Sequence, residues 1–246
     1  MSINKRSSGF TLVELSIVIV IIGLIVAGVV AGQDLVKQAR IKALIKDVDE
    51  YRTAYNTFRI KYEALAGDMT NATSYWASAA NGDGNRLIGG FQMSETENKG
   101  FFEQLSLSGL IPGSYDGGTG EIIGVDVPPT SYSSNSSFYV NSDKLWNIYD
   151  SGNSLSICGP SDTCYDSHRV AVEDAYAIDK KIDDSMPYLG KVISYSRVSG
   201  DCLPANKRLE DLAAGDPTEI RTLEYALQDS TDFCTMNFAF DDYAFK

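Results

Sequence analysis

The sequence predicts an α+β protein, in which one long N-terminal α-helix packs on an antiparallel β-sheet head that also contains short helices. A nearly continuous apolar run near the N-terminus passes into a helical pattern of apolar residues. After Gly67, the chain becomes rich in Gly, Ser, Asn and Asp and alternates between short segments and turns. With 246 residues, of which 43% are apolar and 22% charged, the chain can enclose a hydrophobic core.

Residues 10–32 form the apolar half of the predicted helix, and residues 1–9 form a short polar leader that contains Lys5 and Arg6. A helix over residues 10–31 is roughly 33 Å long, which suffices to cross a hydrocarbon core of about 30 Å. The positive leader is expected to stay in the cytoplasm, so the rest of the chain crosses the membrane. The run is longer than a secretory signal and lacks its small-residue cleavage site, so we expect it to remain attached.

Glu14 is the one charged residue within this apolar run. A carboxylate in a membrane segment is costly and is expected to have a partner. If the chain is cut before Phe10, the new amino group of a neighbouring subunit supplies such a partner. The alternative is a side chain that reaches back to the membrane surface.

Residues 33–66 form the amphipathic half of the same helix, which is predicted to be about 55 residues and 80 Å long. Their apolar residues recur at helical spacing and form one stripe. We favour packing of this stripe on a sheet over a free coiled coil, because residues 67–246 supply a large head. The stripe consists of Ile41, Leu44, Ile45, Val48, Tyr51, Tyr55, Phe58 and Tyr62.

Within the head, capping, periodicity and alternation predict three short helices and four strands. The last strand alternates apolar and polar residues, which predicts that one of its faces is buried. The predicted helices lie over 94–109, 169–182 and 216–227, and the predicted strands over 137–141, 145–149, 188–198 and 234–241.

The segment GFTLVEL at residues 9–15, behind its basic leader, resembles the processing site of type IV prepilins and type II secretion pseudopilins. The resemblance implies that a prepilin peptidase cuts between Gly9 and Phe10 and that Phe10 is then N-methylated. It also implies that Glu14 contacts the N-terminus of a neighbouring subunit during assembly.

The same resemblance implies a pilin-like fold and a structural role in a pilus-like or secretion filament. The implied partners are prepilin peptidase, other pilin or pseudopilin subunits and the bacterial inner membrane. The chain would cross that membrane once, with its head in the periplasm, before it enters a filament. Segments 62–72 and 177–184 are also similar to heads of bacterial pilin-like proteins, which usually carry Pro at the position of Ala66 and Gly at that of Ser185.

Four cysteines lie in the predicted head, and an exported domain permits disulfides. Four cysteines allow three pairings. We favour Cys158–Cys164, which closes a tight loop, and Cys202–Cys234, which ties back the C-terminal strand. Zinc is disfavoured, because the chain has no C-x-x-C spacing and a single histidine.

The segment Asn81-Gly82-Asp83-Gly84-Asn85 places oxygen-bearing side chains at alternate positions, as calcium loops do. However, Arg86 occupies the position at which an EF-hand needs glycine, and an Asn/Asp/Gly turn is the favoured interpretation. We therefore expect no cofactor and retain Asn81, Asp83 and Asn85 as calcium candidates, because many pseudopilins bind calcium.

The sequence favours a non-catalytic subunit. The net charge of −12 argues against a nucleic-acid partner, and the chain contains no nucleophile elbow and no phosphate-binding loop. The alternative function is a membrane-anchored binding protein or adhesin that does not enter a filament.

Overall fold

The computed structural model describes residues 11–89, 96–117, 122–142, 152–159, 170–195, 202, 223–227 and 233–240. The chain forms two compact units, residues 1–40 and residues 41–246. Helix α1 runs without interruption from Leu12 to Tyr62 and contributes to both. It ends where Glu63 adopts a left-handed conformation with a φ of 54°, which a helix cannot continue through.

The second unit follows the predicted α+β class. Its elements are a short 3-10 helix at Ala72–Ser74, α2 at Thr96–Leu107, β1 at Ser137–Asn141, β2 at Ser154–Cys158, β3 at Val170–Ala171, α3 at Val172–Ile182, β4 at Val192–Tyr195 and β5 at Phe233–Ala239.

In the part of the chain that the structure describes, these strands form one five-stranded antiparallel sheet around β5. Strand β1 pairs with β2, and β5 pairs with β2, β3 and β4. Of the strands that the structure describes, β5 is therefore central, although it is the last in sequence.

The apolar stripe of α1 packs on this sheet, as predicted. The residues of α1 that are buried are Ile41, Leu44, Val48, Tyr51, Ala54, Tyr55 and Phe58. The Tyr55 ring stacks on Phe240 just after β5, with centroids 4.5 Å apart, and Tyr51 contacts Phe138 of β1 at 5.0 Å. Burial of such rings supplies much of the energy that holds α1 to the head.

Gly67 shows how closely the loop after α1 approaches α2. Its φ is +86°, and a Cβ at this position would lie 2.3 Å from the carbonyl oxygen of Glu97. Its N–H donates to Gln104 Oε1 at 2.8 Å, which fixes the loop against the helix. Only glycine satisfies both the conformation and the space.

The positions of two predicted strands were confirmed, but the predicted burial of one of them needs correction. Strand β1 has the predicted bounds, and β5 lies where the alternation placed it. However, β5 was predicted to be half-buried, and both of its faces are buried from Cys234 onward. Its polar face is buried because its members pair within the head: Asn237 Oδ1 accepts a hydrogen bond from Ser156 Oγ of β2.

Other predictions differ in their bounds. Helix α3 begins at Val172 rather than 169, because the two preceding residues pair with β5 as β3. The predicted strand 188–198 is described as β4 over Val192–Tyr195: Tyr188 lies in a turn, and residues 196–198 lie outside the described residues. Of the predicted helix 216–227, residues 223–227 are irregular, and residues 216–222 lie outside the described residues. Strand β2 was missed, and the predicted strand 145–149 lies outside the described residues.

Candidate functional site

The N-terminal part of α1 presents an apolar surface. Between Leu12 and Val36, its large apolar side chains are 45–86% exposed. None of the most apolar window is buried, and α1 is long and apolar enough to cross a membrane. An exposed surface of this size in water is unusual, so it is consistent with membrane anchoring or with cover by other chains.

Glu14 closes the first turn of this helix together with Thr11. The backbone N–H and the Oγ1 hydroxyl of Thr11 both donate to Glu14 Oε2 at 2.8 Å. The Glu14 N–H donates back to Thr11 Oγ1 at 3.3 Å. This reciprocal arrangement is a capping box, which satisfies backbone donors that a helix start leaves without partners.

The capping box uses only one of the two carboxylate oxygens of Glu14. Oε2 accepts both hydrogen bonds from Thr11, whereas Oε1 accepts none from the residues that the structure describes. The carboxylate therefore retains an oxygen for a further donor. Thr11 was missed as a partner, although its spacing of three residues before Glu14 is the sequence signature of the box. Gly9 and Phe10 lie outside the described residues.

The exposed apolar helix at the N-terminus of this α+β protein is consistent with membrane anchoring. Residues 4–30 match the family model described as the prokaryotic N-terminal methylation motif. This motif is the hallmark of type IV pilins and pseudopilins, so the chain carries the signal of a prepilin peptidase substrate. No curated protein and no solved structure matches the chain.

A disulfide joins Cys202 to Cys234, which lies on the central strand β5. Both residues are fully buried. The Ala226 N–H also donates to the Cys202 carbonyl oxygen at 3.2 Å, so residues 223–227 are tied to the same bridge. Cys158 at the end of β2 is also disulfide-bonded, and Cys164 lies outside the described residues.

The proposed calcium loop is held by hydrogen bonds of its own side chains. Asn81 Oδ1 accepts from the Thr73 N–H at 3.0 Å, and Asp83 Oδ1 accepts from the Asn85 N–H at 2.9 Å. Asn85 Oδ1 accepts from the Leu87 N–H at 2.6 Å. These contacts are those of the Asn/Asp/Gly turn that the sequence favoured. Calcium at this loop stays a prediction.

The fold brings two further carboxylates to Asp83 that the sequence argument did not select. Carboxylate oxygens of Asp68, Asp83 and Glu97 lie within 4.8 Å of one another. Asp68 accepts the N–H groups of Gly84 and Arg86 at 2.7 and 2.8 Å, and Glu97 accepts the Asp83 N–H at 2.9 Å. Burial raises the pKa of Asp68 above its ordinary value. The carboxylates of Asp68 and Glu97 therefore accept backbone N–H groups of the loop, and Glu97 fastens the loop to α2.

Proposed function

We propose that this chain is a structural subunit, a pilin or pseudopilin, of a type IV pilus-like or type II secretion filament. Prepilin peptidase cuts it between Gly9 and Phe10 and methylates the new N-terminus. The apolar half of α1 then leaves the inner membrane and packs among equivalent helices of neighbouring subunits. The head stays on the periplasmic side until it is displayed on the filament.

The observation that carries this proposal is the conjunction of the methylation motif with a single carboxylate, only one oxygen of which is used by the capping box, on an exposed apolar helix. In a plain membrane anchor Glu14 caps the helix, but its charge has no cationic partner to offset the cost of placing it in a membrane segment. A filament subunit supplies such a partner, because the cleaved amino group of one chain is a cation that must also be buried. Pairing the two charges removes the cost of leaving either one unpaired.

The capping box sharpens this role. Thr11 fixes the rotamer of Glu14 by hydrogen bonds to Oε2, which leaves Oε1 for an incoming ammonium group. A carboxylate that is positioned beforehand loses less entropy when it binds. Cap and charge are therefore separate contributions, and different substitutions remove them.

The first experiment is intact mass and N-terminal sequencing of the full chain after co-expression with a prepilin peptidase. We expect a methylated Phe10 start, and we expect Gly9→Val to abolish it. A Met1 start in the native chain would contradict the processing step and favour the membrane-anchored binding protein. A start near Ala31 would mean a released head and would exclude filament assembly through α1.

Assembly is tested with three substitutions in the native host, by immunoblot of sheared filaments and of membranes. Glu14→Ala removes both charge and cap, Glu14→Gln keeps a capping side chain without the charge, and Thr11→Val keeps the charge without the hydroxyl cap. We expect both Glu14 variants to remain in the membrane unassembled, whereas Thr11→Val still assembles. Normal filaments from Glu14→Gln would refute the charge pairing.

A further inference from the structure

The head contains an open cleft between the C-terminal end of α1 and the loop that carries residues 84–86. Its volume is about 450 Å³, which lies within the range of pockets that hold small organic ligands. The cleft lies within the second unit of the chain. The side chains that line it include Arg59, Glu63, Leu65, Asp68, Thr70 and Arg86.

Two of the charged residues in the cleft have a backbone conformation that glycine adopts at lower cost. Glu63 has a φ of 54° and Arg86 a φ of 71°. In the part of the chain that the structure describes, Ser185 is the only other non-glycine residue with a positive φ. A side chain at such a position is strained, and strained residues cluster at binding sites. The charged side chains of Glu63 and Arg86 therefore point to a role beyond the fold of the head.

The two arginines make the cleft rich in hydrogen-bond donors. The guanidinium carbon of Arg59 lies 5.9 Å from the centre of the Tyr55 ring, which restricts its position. Arg86 is exposed, and its guanidinium group forms no hydrogen bond or ion pair within the described ranges. A guanidinium group has five N–H donors, no acceptor and a fork that matches a carboxylate. The cleft is therefore suited to a carboxylate ligand.

The acidic residues of the cleft do not use these donors. Asp68 is only 4% exposed, and its two oxygens accept the N–H groups of Gly84 and Arg86 at 2.7 and 2.8 Å. Glu63 is exposed, and its carboxylate accepts no hydrogen bond from the residues that the structure describes. With the exposed Thr70 hydroxyl, Glu63 provides acceptors for a ligand that also carries hydroxyl groups.

We propose that this cleft binds a uronic acid, a sugar whose ring carries one carboxylate and several hydroxyl groups. Arg59 and Arg86 bind the carboxylate, Glu63 and Thr70 bind hydroxyl groups, and the apolar lining at Leu65 faces the C–H side of the ring. A simple anion would leave Glu63 without a donor, and a neutral sugar would leave both guanidinium groups without a charged acceptor. The site belongs to the head and does not depend on filament assembly.

The test is a ligand-observed NMR titration of the full chain in detergent micelles at constant ionic strength. We expect glucuronate to bind saturably with a Kd of about 1 mM, as expected for a ligand of its size at an open site. Three comparison ligands each lack part of its chemistry: methyl glucoside has no carboxylate, acetate has no ring, and alanine has an ammonium group in place of hydroxyl groups. Each is expected to bind at least 10-fold more weakly, and binding of any of them as tight as that of glucuronate would overturn the assignment.

Arg86→Gln removes one guanidinium group from the cleft. Because hydrogen bonds between two charged groups are the strong ones, we expect glucuronate to bind at least 10-fold more weakly to this variant. The matched control is Arg40→Gln, which makes the same charge change at an exposed arginine outside the cleft and should keep the native affinity.

Arg86→Gly separates binding from folding. Glycine relieves the strain at a φ of 71° and keeps the N–H that binds Asp68, so we expect the midpoint of thermal unfolding to rise by about 2–4 °C. The same variant should bind glucuronate at least 10-fold more weakly than the native chain. Native affinity in Arg86→Gly, or no saturable binding of glucuronate by the native chain, would overturn the proposed site.

Discussion

The Cys202–Cys234 disulfide provides the most direct test of how the head is held together. The two cysteines are 32 residues apart in sequence, and Cys234 lies on the central strand β5. In the loop-closure model, cross-links of this separation stabilise the folded state by about 4 kcal/mol, because the reduced unfolded chain gains entropy. We therefore expect Cys202→Ala with Cys234→Ala to lower the free energy of unfolding by about that amount.

The measurement is urea unfolding of the full chain in detergent micelles, followed by far-UV circular dichroism. The matched control is Cys158→Ala with Cys164→Ala, which removes the predicted shorter link. A loop of that length is worth about 2 kcal/mol in the same model. A loss below about 1 kcal/mol for the long-loop pair, or a larger loss for the short-loop pair, would refute the reasoning.

Two further substitutions test single sites in the head by the same unfolding assay. Ser185 has a φ of 69°, so Ser185→Gly is expected to stabilise the fold by about 0.5–1 kcal/mol, whereas Ser185→Ala should give no gain. Asn153 is buried, and its side chain accepts the N–H of buried Ile88 at 2.7 Å and donates to the Arg86 carbonyl oxygen at 3.1 Å. Asn153→Ala leaves the Ile88 N–H and the Arg86 carbonyl oxygen without this partner and should lower the free energy of unfolding by about 2–4 kcal/mol. The control is exposed Asn135→Ala, which should change it by less than about 0.5 kcal/mol. A loss that small for Asn153→Ala would contradict the predicted role of its side chain.

Ser185 also shows how the sequence resemblance connects with the backbone. The resemblance of segment 177–184 leads one to expect glycine at this position, and the structure places Ser185 in the left-handed region that glycine adopts at little cost. The Ser185 N–H binds Asp179 Oδ1, which is one reason why the strained turn persists.

The elements that sequence reasoning predicted well are those whose signal is local. The stripe of α1 and the alternation of β5 can be recognised in a short window, because each repeats with the period of its own secondary structure. Contacts with distant residues cannot be recognised in such a window. Residues 223–227, the described end of the predicted helix 216–227, are irregular, and there Ala226 and Tyr225 bond to Cys202 and Asp179.

The sequence by itself determined the α+β class, the apolar helix with its single carboxylate and the methylation motif, because these are properties of contiguous residues. Only the tertiary structure decided the central place of β5, the gathering of Asp68, Asp83 and Glu97, and the hydrogen bond between Tyr225 and buried Asp179. Such groups meet when loops close over long sequence distances. The strength of their interactions then depends on how deeply the groups are buried, and the residue type alone does not determine burial.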